Sequence, residues 1–299
     1  ICARFSASAP DQMRLIRRPS GSGFCKAANS GLEASTADMV VLLNSDTIVS
    51  GDWIARLERC MASNWQIGIV GPLSNAGGWQ SVPKLPSRER ASNPVCTDVD
   101  TLRQLHAQYS GFANRFGYPV VEQINGFCIG LSRALIDAVG VFDEARFPMG
   151  YGEENDLTFR ALDAGFLCAV AVDCFVYHAK SKSYSSDARA RYNAAGQKQL
   201  HALHGHARVS SAVRNTQRHP VLRTIRQEPA RDFAEKGWLR DTEPAACAGP
   251  RRPDLRSVAG CGHRAPKRAF LSQKNGIDLR TLISCAAQIL VFAIKLRAA

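Results

Sequence analysis

No CxxC pair occurs among the ten cysteines, and no histidine stands at a spacing suited to zinc. That excludes the common structural zinc frameworks. Cys25, Cys128, Cys168 and Cys174 each lie inside an apolar segment and read as buried, reduced thiols of a cytoplasmic protein. The opening "ICARFSASAPDQ" has neither a basic start nor an apolar run, so it is not expected to be a secretory leader. The last apolar stretch, "LISCAAQILVFAIK", is too short for a bilayer span and carries Gln288. Net charge is nearly absent from most of the chain. The formal total is +12, but residues from 201 onward hold 18 Lys/Arg against 7 Asp/Glu, leaving 20 against 19 for the first 200. A neutral globular part argues against a nucleic-acid partner. The basic tail offers a peripheral contact with anionic lipid at the inner face of the plasma membrane.

What is present is an alternation of apolar strands and amphipathic helices. "MRLIRR" reads as a short strand, "FCKAANSGLEAS" as a helix with Phe24, Ala28 and Leu32 on one face, and "DMVVLLN" as a strand covered on both sides. "GDWIARLERCMAS" places Trp53, Leu57 and Met61 on one helical face, and "IGIVGPLSNAGG" is a buried strand entering a Gly-rich loop. A helix is predicted near Thr101–Tyr109, then a strand in "NGFCIGLS" after an Asn125–Gly126 turn. "RALIDAVG" is a short helix stopped by Gly140, and "ENDLTFRALDAG" is a helix with Asn155 near its cap. "FLCAVAVDCFVYH" closes the series as a strand. The pattern predicts an α/β domain over 1–226, with a mostly parallel sheet flanked by helices. Residues 227–299 read as a basic, Pro/Arg-rich, disordered tail with a short apolar helix near 282–295.

In such sheets ligands lie beyond the carboxyl ends of the strands. Three stretches carry chemistry and fall at those ends. Asp46 in "LLNSDT" offers a hard oxygen for a divalent cation holding phosphate. Glu153 and Glu154 in "GYGEEND" are adjacent carboxylates at a helix start, and one of them can act as a general base. His178 in "VYH" ends a strand on the edge shared with Asp46 and can complete a metal site. Each has a plainer reading: a turn-closing Asp, a pair of helix-dipole partners, a hydrogen-bonded strand-end His. A dehalogenase-like phosphatase is excluded, since its nucleophilic Asp would stand where Asn44 is.

The ordered series "GFCKAANSGL", "VVLLNSDTIVSGDWIARL", "GPLSNAGGWQSVP", "NGFCIGLSRALIDAVGVFDE", "GYGEENDLTFRALDAGF" and "VYHAKSKSYS" resembles family 2 glycosyltransferases of the GT-A fold, of the kind that builds bacterial surface polysaccharides. The resemblance implies an inverting transfer from a nucleotide-diphosphate sugar to a saccharide or lipid-linked saccharide hydroxyl. It assigns Asp46 to the DxD-like metal motif, with Asn44 where that motif often has an acid, and a cation such as Mg2+ or Mn2+. Glu154 falls at the catalytic base, with Glu153 as the fallback. His178 reaches the metal or the phosphates. Asn29 joins Asn44 and Asp46 on the cofactor side, while Asn75, Gln80, Asn125 and Gly126 line the sugar or acceptor pocket. The family's opening "VSVVIPxYN" strand and its DDGS segment are not present, so the resemblance also implies an N-terminally truncated domain. A non-catalytic remnant is the alternative.

Overall fold

The computed structural model describes residues 13–19, 22–49, 51–85, 99–179, 186–235, 280–284 and 289–294. Its centre is an eight-stranded sheet ordered β1-β9-β10-β2-β6-β4-β7-β5. These strands are β1 (Met13–Ile16), β2 (Met39–Asn44), β4 (Ile67–Leu73), β5 (Val120–Val121), β6 (Cys128–Ser132), β7 (Leu167–Phe175), β9 (Arg280–Ser284) and β10 (Ile289–Ile294). A separate two-stranded ribbon joins β3 (Thr47–Ile48) to β8 (Tyr177–His178). The helices are α1 (Phe24–Glu33), α2 (Trp53–Ala62), α3 (Val99–Tyr109), α4 (Phe112–Phe116), α5 (Arg133–Val139), α6 (Glu153–Asp163), α7 (Ser186–His204), α8 (His206–Arg218) and α9 (Pro220–Glu235).

The period of two in the strands builds two cores. Val40 and Leu42 of β2, with Cys168, Val170 and Val172 of β7, face one layer with Leu32 of α1, Leu105 of α3 and Phe159 of α6. Met39, Val41 and Leu43, with Ala169 and Ala171, face the other, closed by Trp53, Leu57 and Met61 of α2. The predicted helical face of α2 is therefore its buried face. Cys25, Cys60, Cys128, Cys168 and Cys174 are free, buried thiols.

Two expectations need correction. The sheet is not mostly parallel between neighbours: only β1–β9 and β4–β7 pair in parallel, and β6 runs antiparallel between β2 and β4. An apolar strand does not encode its direction, so the alternation with helices was a weak guide. Even so, β1, β9, β2, β4 and β7 all point the same way, which sends their carboxyl ends to one edge.

The second correction concerns the tail. The expected boundary at 226 falls inside α9, and the apolar segment near 282–295 forms strands instead of a helix. β10 pairs antiparallel with β2 from Ile289–Asn44 to Ile294–Met39, and its residues 291–294 are buried. The β-branched and aromatic "ILVFAI" suits a pleated, two-sided position better than an exposed helix. Val291 fits over Gly31 of α1, where a Cβ would stand 2.5 Å from Val291 Cγ2, and Phe292 meets Trp53 edge-on at 5.3 Å. Residues 236–279, the bulk of the expected irregular tail, lie outside the described residues. Among the described residues no helix is long and apolar enough to cross a membrane.

Candidate active site

Strands of shared direction empty onto one edge, and the sequence there switches from apolar to small and polar. β2 ends at Asn44 and is followed by Asp46; β4 ends at Leu73 and is followed by Ser74, Asn75 and Ala76; β7 runs on through Val176 into His178. β6 runs the other way, so Asn125, Gly126 and Phe127 precede it on the same edge.

The ribbon of β3 and β8 brings Asp46 and His178 together. Thr47 opposes His178, and the Ala179 amide donates to the Asp46 carbonyl at 2.8 Å. His178 Nε2 lies 3.4 Å from Asp46 Oδ1. The other ring nitrogen, Nδ1, is 3.0 Å from the carbonyl oxygen of Ala76. A carbonyl only accepts, so Nδ1 carries a proton there and Nε2 is the ring nitrogen that faces the carboxylate. Phe127 stacks on the imidazole at 5.1 Å and fixes its plane. A carboxylate oxygen beside an oriented imidazole nitrogen is a donor set that fits a divalent cation. Among the described residues no group of three or more His, Cys, Asp or Glu side chains gathers, so a cation here would need ligands from a bound substrate as well.

Glu153 and Glu154 open α6, which starts one residue before the expected "ENDLTFRALDAG", and Gly152 takes the N-cap position in place of a residue near Asn155. The approach is a run of left-handed residues, Gly150, Tyr151 and Gly152, with φ of 86°, 68° and 123°. Tyr151 is the only non-glycine among the described residues with positive φ, a conformation that costs on the order of 1–3 kcal/mol and clusters at functional sites. The bend sends the two carboxylates different ways. Glu153 is buried, whereas Glu154 is partly exposed and lies across the Cα of Gly126, where a Cβ would stand 3.4 Å from its own Cβ. Burial pushes both carboxyls above their ordinary range, and the neighbouring Glu154 charge raises Glu153 further.

The remaining expected residues divide by what their amides already hold. Asn75 clamps the His178 backbone, donating to its carbonyl at 3.0 Å and accepting from its amide at 2.8 Å. Gln80 donates to the Pro72 carbonyl at 2.7 Å and accepts from the Asn125 amide at 2.6 Å. Asn29 is turned to Phe142, donating to its carbonyl at 2.9 Å and accepting from its amide at 3.0 Å. These three are buried and engaged, so they shape the edge rather than present free amides to it. Asn44 is half-buried at the end of β2, with its backbone N–H donating to the Phe127 carbonyl at 2.9 Å. Sequence reasoning missed Ala76 and Phe127. The carbonyl leaves no trace in a sequence, but Phe127 directly follows the Asn125–Gly126 turn that was singled out.

Comparison with known proteins bears on this edge. No curated protein matches the sequence. The solved structure of GalNAc-T7 with UDP, GalNAc and Mn2+ is similar over 75% of this chain, at 12% identity and a TM-score of 0.41, and this chain spans 46% of that one. The decisive match is by sequence profile. Residues 1–198, which take in every candidate residue from Asn29 to His178, fit the family described as "Glycosyltransferase like family 2", and the chain belongs to that family of glycosyltransferases.

Proposed function

We propose that this chain is an inverting, cation-dependent glycosyltransferase. Its donor is a nucleoside-diphosphate sugar, and its acceptor is a saccharide or lipid-linked saccharide hydroxyl in cell-surface polysaccharide synthesis. The observation that carries this reading is a continuous line of contacts along one sheet edge. Asp46 faces His178, His178 stacks on Phe127, and Gly126 beside it lies against Glu154. Phosphate chemistry and proton abstraction thus share one cleft.

In this reading Asp46 and His178 would hold a Mg2+ or Mn2+ ion, which would offset charge on the departing diphosphate. Asn75 and Ala76 keep the imidazole in the tautomer that leaves Nε2 unprotonated. Glu154 takes the proton from the acceptor oxygen as that oxygen attacks the anomeric carbon. The bond to the diphosphate breaks on the opposite face, and a single displacement inverts the centre. Glu153, buried beside Glu154 and raised in pKa by burial and by the Glu154 charge, is the fallback base. Gly126 leaves the acceptor room beside the carboxylate.

The test is turnover of a panel of UDP-, dTDP- and GDP-sugars with Mn2+ and oligosaccharide acceptors. Glu154→Gln is expected to remove about 10²–10⁴-fold of the transfer rate while leaving donor binding nearly intact. Near-normal turnover in Glu154→Gln with loss in Glu153→Gln would move the base to Glu153, and activity in both would end the assignment. One observation favours a non-catalytic chain. β9 and β10 flank β2 at this edge, and "RTLIS" and "ILVFAI" hold no acid for a ribose. A wild-type chain that neither binds nor consumes any of these donors would establish that rival.

A further inference from the structure

We propose that Arg226, on α9 and outside the family-matched residues, is a positioning residue that sets the acceptor side of this cleft through the Trp79–Ser81 turn. The inference rests on the transferase reading for its kinetic consequence, and on geometry alone for its structural one.

Arg226 is 9% exposed and ends among carbonyl oxygens. Its Nη1 donates to Gln217 at 2.9 Å, its Nε to Ser81 at 3.2 Å, and its Nη2 to Trp79. Among the described residues no carboxylate pairs with it within ion-pair distance, so a whole charge is buried against peptide dipoles. Burial lowers the guanidinium to about 10, which still leaves it charged at neutral pH. A methionine would fill such a space at less desolvation cost. What only the planar fork supplies is two donors of fixed geometry, and here they grip the carbonyls on either side of one residue, Gln80.

Gln80 is the relay. It is fully buried, and its side-chain oxygen accepts from the Asn125 amide at 2.6 Å. Asn125 in turn accepts from the Phe127 amide at 3.3 Å, and between them sits Gly126, against Glu154. The turn has few other anchors to the helical layer: Trp79 Nε1 and Ser81 Oγ are buried without a partner. A shift of Trp79–Ser81 therefore passes through Gln80 to the ground on which Glu154 rests. Asp46 and His178 have further supports of their own, Asn75 and the β3–β8 ribbon, so the effect falls chiefly on acceptor use and less on donor binding.

The experiment uses the full chain with Arg226→Lys, which keeps the charge and loses the fork, and Arg226→Gln as a second variant. Amide hydrogen exchange is the first readout. Exchange at Asn125 and at Gln80–Val82 is expected to rise roughly 10-fold in both variants, with β6 and β7 unchanged. The second readout compares sugar transfer with hydrolysis of the same UDP-, dTDP- or GDP-sugar to water. Transfer is expected to fall by roughly 10- to 100-fold while hydrolysis and donor KM stay within about twofold. Unchanged exchange at Asn125 would overturn the proposal, as would exchange raised throughout β6 and β7 or an equal loss of transfer and hydrolysis. If exchange rises locally but the wild-type chain consumes no donor, the positioning relationship stands and the transferase reading falls.

Discussion

His178 Nε2 faces Asp46 Oδ1 at 3.4 Å because Nδ1 is committed to the Ala76 carbonyl. The pair is built from three separate strand ends, and its function as a cation site can be tested without any sugar. Titration calorimetry with Mn2+ and UDP is expected to show ternary binding that Asp46→Asn weakens by at least about 10-fold, as does His178→Phe. Full retention in both variants would remove the cation from this edge.

Glu153 carries a stability signature separate from catalysis. Its folded pKa is raised well above 4.5, first by burial and then by Glu154. The folded state is therefore unpenalised below the unfolded pKa and loses stability as pH rises above it. Glu153→Gln removes the titrating group. Its melting temperature is expected to match wild type near pH 4 and to exceed it increasingly toward pH 8, by an amount equivalent to about 1 kcal/mol or more. A pH-independent difference would contradict the buried, protonated assignment.

The same burial predicts the acid limb of the pH–rate profile. Glu154 must be ionised to accept a proton, and its pKa is raised from 4.5. Transfer is expected to rise with pH through a midpoint above the ordinary carboxylate range, and Glu153→Gln is expected to move that midpoint by removing the neighbouring carboxyl.

Gly196 lies in the middle of α7, where glycine is ordinarily unfavourable. Its position explains it, because a Cβ there would overlap the carbonyl oxygen of Tyr151 in the strained loop that delivers Glu153 and Glu154. Gly196→Ala is expected to lower stability by about 1–3 kcal/mol despite alanine's higher helix propensity, as measured by chemical denaturation. A stabilised variant would show that α7 does not press on the loop.

Ending the chain at residue 279 removes β9 and β10. That strips the cover from Val41, Trp53 and Gly31, and it leaves β2 with an unpaired edge. The shortened chain is expected to melt at least about 5 °C lower, to bind a hydrophobic dye, and to show a red-shifted Trp53 emission. An unchanged melting curve would show that residues 280–294 contribute nothing to the sheet.

Much of this was legible along the chain. Continuous apolar runs in β2 and β7 announced strands buried on both faces, and Trp53, Leu57 and Met61 announced the buried face of α2. Gly140 ended α5 where its φ of 78° requires a glycine. The chemistry-bearing acids and His178 stood out because small polar residues abruptly follow apolar runs. α7 and α8 were harder to read, since each offers only scattered apolar contacts such as Leu200, Val209 and Ala212.

Local side-chain periodicity sets which segments are strands or helices and which face is buried, and the sequence carries that information directly. Strand direction, strand partners and long-range hydrogen bonds depend on residues that packing brings together from far apart. So the sequence determined that a carboxylate and an imidazole end apolar segments and that an acidic pair opens a helix. Only the tertiary structure decided that β10 pairs with β2, that Ala76 selects the tautomer of His178, and that Arg226 reaches across 145 positions of sequence to the Ser81 carbonyl.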